Sequence, residues 1–324
     1  MKRFVRRLLI PTFIALIAAG SATTAMAQAK LKIRAASLTL PVINPVLVNV
    51  MKEKGFDAKH GFELEIKPFP SISAFYVALA NGEVDTLVGG PTVLQKMRNE
   101  GVPAKIIATT LRLSDLAILT ANPAIKTLAD LKGKDLAADM GSQQFQIVSI
   151  YGRSKGLAMG SDINVIQANY ALARSQLAAG RVDAAMVIEP IATAMMKENP
   201  QLRMIFNGSS AWKELTGADG WELVAAMRED FINKNPNAPK QWIAALQDVA
   251  AFIHANPAET DAIAVATVKM PAGILKDVVA SKRWEFDVRP AWGPERKVLM
   301  DMFERAVAAK FLEKTPDEGI FYAP

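Results

Sequence analysis

The sequence predicts an α/β protein built as two similar lobes, and three observations predict it. Strand-like and helix-like patterns alternate almost without interruption after the first thirty or so residues, the signature of β-α-β units with a largely parallel sheet. The stretch "ALANGEVDTLVGGP" (78–91) returns as "QLAAGRVDAAMVIEP" (176–190), 98 residues later from glycine to glycine. In both, a helical pattern stops at Gly, passes a Val-Asp pair, enters an apolar strand and ends at Pro. The chain is also long enough, at 324 residues, to fill two ordinary lobes.

Residues 1–27 stand apart. Lys2, Arg3, Arg6 and Arg7 form a basic head, an apolar middle follows, and "AMA" precedes Gln28. That is the layout of a secretory signal peptide, with cleavage expected after Ala27. Losing its four basic residues takes the formal charge from +6 to +2 over the remaining 297 residues, which removes the main support for nucleic-acid binding. No later run is apolar and long enough to span a bilayer. Cysteine is absent, so disulfides, thiolate metal sites, cysteine nucleophiles and a lipid-modified N-terminal cysteine are excluded. The expected location is a periplasm, without a lipid anchor. His60 and His254 are the two histidines, too sparse for a His-based triad or zinc site.

The elements follow in order. "LKIRAASL" (31–38) reads as a strand and a helix begins near Pro41. "FELEIKPF" (62–69) alternates as a half-buried strand does. "SISAFYVALANG" (71–82) is a helix stopped by Gly82. "VDTLVGG" is a short strand, and Pro91 opens a helix at the position that needs no N–H. "AKIIATTL" (104–111) and "LAILTAN" (116–122) are strands, and Thr127 with Asp130 caps "LADLKG". "KDLAAD", "DINVIQAN", "VDAAMVIEP" and "LRMIFNG" are strands, separated by the helices "SQQFQIVSIYGRSKG", "ALARSQLAAG" and "IATAMMKENP". "WELVAAMRE" adds one more strand, after which helices dominate. Trp242, Leu246, Val249 and Ile253 share one helix face, an ordinary core stripe, and no cofactor is expected. Ligands of open α/β sheets sit beyond the carboxyl ends of the strands, so "GGPT" and "IEPI" would face each other across a cleft.

The order "FDAKHGFELEIKPFP…ALANGEVDTLVGGPTVLQ…IKTLADLKGKDLAADMGSQQ…LAAGRVDAAMVIEP" resembles the bacterial periplasmic substrate-binding proteins of ABC importers. It is most similar to the branch with taurine, alkanesulfonate, nitrate and thiamine-precursor binding proteins, and the resemblance covers roughly residues 31–260. It implies a two-lobed, type II Venus-flytrap fold joined by two crossing strands near 112–118 and 210–224. Lobe 1 would comprise 28–117 and 222–324, and lobe 2 residues 118–221. It also implies a small-molecule ligand, permease and ATPase partners, and no cofactor or metal. A monomer is expected.

Carried over residue by residue, the resemblance puts Ser37, Leu38 and Thr39 on the lobe-1 wall, with Ser71 and Ser73 at a helix start that is often glycine-rich in the family. Gly90, Pro91 and Thr92 match the third loop. Gly141, Ser142, Gln143 and Gln144 match the first loop of lobe 2, and Asn169, Tyr170 and Glu189 (with Pro190) the next two. Ser114 and Trp221 lie on the expected crossings. Ile188 is apolar where many relatives carry an aromatic or a second acid, and "SISAF" lacks the glycines that wrap a small oxyanion.

The helix starts "PSIS", "GGPT" and "GSQQ" offer N–H groups and a partial positive charge to an anion. Glu189 pulls the other way: ionised in the cleft, it favours a ligand that donates N–H or carries positive charge. Its alternative role is structural, pairing with an arginine such as Arg174 or capping the helix that starts at Ile191. Trp221 would stack on a flat ligand or pack at the hinge, and Arg34 and Arg112 are anion partners or solvated. The function expected is capture of a small polar or aromatic solute of the sulfonate, nitrate, pyrimidine or aromatic carboxylate class, without turnover, for delivery to an ABC permease. A binding partner of a sensor is an alternative. A thiamine-pyrimidine-synthase-like enzyme, which would need a cysteine-rich motif, is the other.

Overall fold

Eleven strands alternate with helices in the computed structural model, which describes residues 30–314 and 317–324. The expected signal peptide lies outside them. Strand β1 (Leu31–Leu38) and strand β2 (Phe62–Phe69) run parallel in one register from Leu31 beside Phe62 to Leu38 beside Phe69. With β3 (Thr86–Gly89), β4 (Ala104–Arg112), β10 (Trp221–Arg228) and β11 (Phe286–Pro290) they form a six-stranded sheet ordered β11-β4-β10-β3-β1-β2. The second sheet has five strands ordered β7-β6-β8-β5-β9, from β5 (Leu116–Thr120), β6 (Asp135–Ala138), β7 (Asn164–Gln167), β8 (Ala184–Ile188) and β9 (Arg203–Asn207).

The two sheets share a plan. The strand that arrives from the other sheet is inserted antiparallel beside the repeated unit: β10 against β3, and β5 against β8. The repeated glycines Gly82 and Gly180 take φ of 78° and 65°, a left-handed turn that costs glycine least.

The chain passes between sheets twice. From β4 it makes a single turn, Leu113–Asp115, and enters β5. The return differs from the expected crossing strand: after β9 the chain forms a helix, Gly208–Thr216, started by Asn207 accepting from Ser210 N and stopped at Gly217. Only at Trp221 does it become strand β10. The structure also adds β11, which pairs with β4 at the edge of the sheet. Its Pro290 is tolerated at that position.

Helix Ala238–Ala255 buries the stripe Trp242, Leu246, Val249 and Ile253, each at most 1% exposed. Each such burial contributes about 1.5–3 kcal/mol, and Trp242 meets Phe62 of β2 at 5.8 Å between ring centroids. Thr127 and Asp130 form the reciprocal cap expected of them, on a short 3₁₀ turn, Leu128–Leu131.

Candidate functional site

The helix starts position the site. Helix Ile72–Ala80 is capped by Ser71, helix Pro91–Asn99 begins at Gly90, and helix Gln143–Ser154 is capped by Ser142. All follow strand ends, and between them lies a cavity of about 380 Å³. Leu38, Ile72, Phe75, Tyr76 and Gly90 line it from the six-stranded side, and Gly141 to Gln144, Tyr170 and Ile188 from the five-stranded side. Asp115 and Glu222, one from each passage between the sheets, also line it. Val42, Tyr170 and Ile188 form one apolar cluster across the two walls.

Two glycines allow close approach. A Cβ at Gly89 would lie 2.7 Å from the Tyr76 hydroxyl on the same wall, and one at Gly90 2.9 Å from Gln143 Oε1 on the facing wall, so a side chain at Gly90 would press the walls apart. Tyr76 uses the space to accept a hydrogen bond from Gly90 N at 2.8 Å.

Gln143 is a strap between the walls. Its Oε1 accepts from Thr92 N and Thr92 Oγ1, both at 3.1 Å, and its Nε2 donates to the carbonyls of Trp221 (3.1 Å) and Glu222 (2.9 Å). That uses the capacity of a side-chain amide. Gln144 Nε2 donates to Glu222 Oε1.

The structure brings Leu38, Ser73, Gly90, Gly141, Ser142, Gln143, Gln144 and Tyr170 together at the cavity. The other sequence-derived candidates lie off its wall, for physical reasons. Ser37 is buried beside the Leu38 carbonyl, and Thr39 bonds to the Phe69 carbonyl on an exposed turn. Ser71 and Asn169 are spent as helix caps, accepting from Ala74 N and Leu172 N. Pro91 is buried in the first turn of its helix, and Thr92 is bound to Gln143. Ser114 accepts from Glu285 N behind the cleft.

Glu189 takes the structural role given as its alternative, not the ligand contact. Fully buried, it pairs with Arg283 (2.5 Å) and accepts from Thr193 N and Thr193 Oγ1 (both 3.0 Å). It therefore caps the helix Ile191–Glu198, and its partner is not Arg174, which pairs with Glu198. Trp221, fully buried, donates from Nε1 to Glu295 at 2.9 Å and carries the Arg112 guanidinium 3.5 Å over its ring. It packs at the passage between sheets. Arg112 is bound to Asp287 and Arg34 to Asp85. His60 and His254 face Asp248 and the Phe286 carbonyl, away from the cavity.

Sequence reading missed Asp115 and Glu222, the most informative groups present. Glu222 is fully buried and Asp115 is 1% exposed. Among the described residues, Asp115 Oδ1 and Glu222 Oε2 have no hydrogen-bond partner. Burial pushes the Glu222 carboxyl up to about 8, partly offset by the Gln144 amide. Burial, then the charges of Glu222 and Glu189, push Asp115 well above the usual carboxylate range. The signal was present: each is an acid embedded in an apolar run, "LSDLAILT" and "WELVAAM".

Among the described residues no Lys, Arg or His lines the cavity, whereas Asp115, Asp139 and Glu222 do. The amides that an anion would use are largely spent: Ala74, Gly90, Thr92 and Phe145 donate to Ser71, Tyr76, Gln143 and Ser142.

Comparison with known proteins gives consistent results. The family model described as "NMT1/THI5 like" matches residues 43–260. A protein of Brucella abortus (strain 2308) named as a binding protein is 25% identical over 228 residues, 70% of this chain and 69% of its own. The periplasmic aliphatic sulphonate binding protein SsuA from Escherichia coli superposes with a TM-score of 0.77 at 18% identity, over 90% of this chain and 92% of that one. The alkanesulfonate-binding protein SsuA from Xanthomonas axonopodis pv. citri, solved with MOPS, gives 0.75 at 18% identity over 90% and 98%. At these identities the structural likeness shows the shared fold, that of periplasmic binding proteins.

Proposed function

The chain belongs to the NMT1/THI5-like family, and from that premise we propose that it is an extracytoplasmic solute-binding protein serving an ABC importer. It takes a small polar or aromatic solute between two lobes, 28–117 with 222–324 and 118–221, and releases it unchanged to a permease. The observation that carries this reading is the cavity of about 380 Å³ walled by both sheets, a size suited to a small ligand.

The straps across it support closure as the functional event. Gln143 reaches Thr92, Gln144 reaches Glu222, and on the hinge side Arg283 reaches Glu189. A solute touching both walls binds this bridged form better than an open one and shifts the balance toward it. Release without turnover is supported by the relatives and structural neighbours, which are named as binding proteins.

Native mass spectrometry of the secreted protein tests the reading. The expected result is a chain beginning at Gln28 that carries one small solute. Small-angle scattering should then show contraction when the stripped protein is reloaded. A protein that neither carries nor takes up any solute, and whose scattering never changes, would refute it.

A further inference from the structure

The cavity's polar equipment is one-sided. Two buried acids line it, and each has an oxygen without a hydrogen-bond partner (Asp115 Oδ1 and Glu222 Oε2). A buried carboxylate without a partner is among the costlier things a fold can hold, and proteins seldom keep two in one place without a use for them. Nothing cationic lines the cavity among the described residues.

The surrounding groups sharpen the point. Gln144 from the helix above reaches only one Glu222 oxygen. Tyr76 and Tyr170 face the acids with hydroxyls held in the neutral form, their pKa values raised chiefly by burial. Asp139 stands at the end of β6, its Oδ1 taken by Gly141 N and Gln167 Nε2. Glu189, behind Asp115, is neutralised by Arg283. Arg112, near in sequence, is turned to Asp287 and Trp221. The remaining lining is apolar, from Leu38, Leu40, Ile72, Phe75 and Ile188. Among the described residues no group of three acids or histidines is placed to hold a metal ion.

We propose that the cleft takes an organic cation, a protonated amine or amidine on an apolar, ring-sized body, and that Asp115 and Glu222 are the pair that recognises it. The inference rests on the reading of the cleft as the solute site. The cationic N–H groups donate to the two free oxygens while the ring lies against the apolar wall. In the empty protein burial favours the protonated form of both acids. The arriving cation replaces that proton charge, and the released proton leaves to solvent. Affinity is therefore greatest where Glu222 is already ionised, above about pH 8, and falls as the pH drops below it.

The test uses the mature protein stripped of solute and matched probes: benzylammonium and benzamidinium, neutral benzamide, and anionic benzoate and benzenesulfonate. Expected are thermal stabilisation by a cation but not by the neutral or anionic probes, and calorimetric proton release near neutral pH. Affinity should rise roughly tenfold or more between about pH 6 and about pH 9. Glu222→Gln and Asp115→Asn, which keep shape and remove charge, should each lower cation affinity about tenfold or more. Their melting curves would show that both fold.

Benzoate or benzenesulfonate binding one-to-one in place of the cations would overturn the inference and leave the solute-binding reading standing. So would benzamide binding as tightly as benzamidinium, or cation affinity unchanged in both variants. Indifference to every probe, with no solute in the secreted protein, would sink both.

Discussion

Glu189 and Glu222 are both fully buried glutamates beside the same cleft, and their surroundings are opposite. Glu189 has Arg283, the Thr193 amide and the Thr193 hydroxyl around it. Glu222 has one amide, from Gln144, and an oxygen with nothing. The first region is a finished structural joint; the second is chemically incomplete. Burial of an acid therefore does not mark a binding group. What sets Glu222 apart from Glu189 is burial without satisfaction, at a cavity wall.

The largest effect expected from this contrast is at the joint. Arg283→Met should cost about 3–5 kcal/mol, because it strands a buried charge, and urea unfolding would measure it. Adding Glu189→Gln should recover a large part of that loss. A single variant as stable as the parent would break the comparison from the Glu189 side.

The next effect has the opposite sign. The Glu222 carboxyl is raised from 4.5 to about 8 in the fold, so the folded protein binds this proton more tightly than the unfolded chain. Its contribution is intact at low pH and is lost as pH rises from about 4.5 to about 8. In the solute-free protein, Glu222→Gln should thus be neutral near pH 4.5 and stabilising at alkaline pH, by up to a few kcal/mol. Melting temperature against pH decides it; a parent and variant with parallel profiles would show that Glu222 is as well satisfied as Glu189.

Trp221→Phe removes the hydrogen bond to Glu295 and weakens the stacking of Arg112. A loss of about 1–2 kcal/mol is expected, with solute affinity unchanged because the ring stands behind the cavity. Reduced affinity at full stability would move Trp221 to the binding side. The smallest effect is at the pair that sequence reading raised for Glu189. Arg174 meets Glu198 instead, both exposed, so Arg174→Ala should cost less than about 1 kcal/mol in the same unfolding assay.

Much of the fold was legible because its signals are local. Apolar alternation, glycine stops, Pro91 at a helix start and the Thr127–Asp130 cap act within a few residues, and the strands and helix starts lie where these signals put them. Several elements escaped, β11 and helix Gly208–Thr216 among them. β11 is a five-residue strand containing a proline, paired in the sheet with β4 alone. Helix Gly208–Thr216 carries its signals, Asn207 as cap and Gly217 as stop, in a stretch where the family resemblance suggested an extended crossing.

The site was legible as loops but not as chemistry. Ser142, Gln143 and Gln144 fall on the cavity wall, yet Gln143 is spent on Thr92 and β10, a demand set by residues far along the chain. Glu189 and Glu222 look alike in sequence, each an acid adjoining an apolar strand run, one after β8 and the other at the start of β10. Their fates depend on Arg283, 94 residues from one, and on Gln144, 78 residues from the other.

By itself, the amino-acid order determined the two-lobed α/β architecture, the duplicated strand-to-helix unit and the faces that form the core. Backbone preference and apolar periodicity act over short distances and need no knowledge of the partner. Which acids are neutralised and which keep an unpartnered oxygen was decided only by the tertiary packing. A buried charge is governed by whatever stands within a few ångströms of it, and in this chain the deciding neighbours, Arg283 and Gln144, come from far along the sequence.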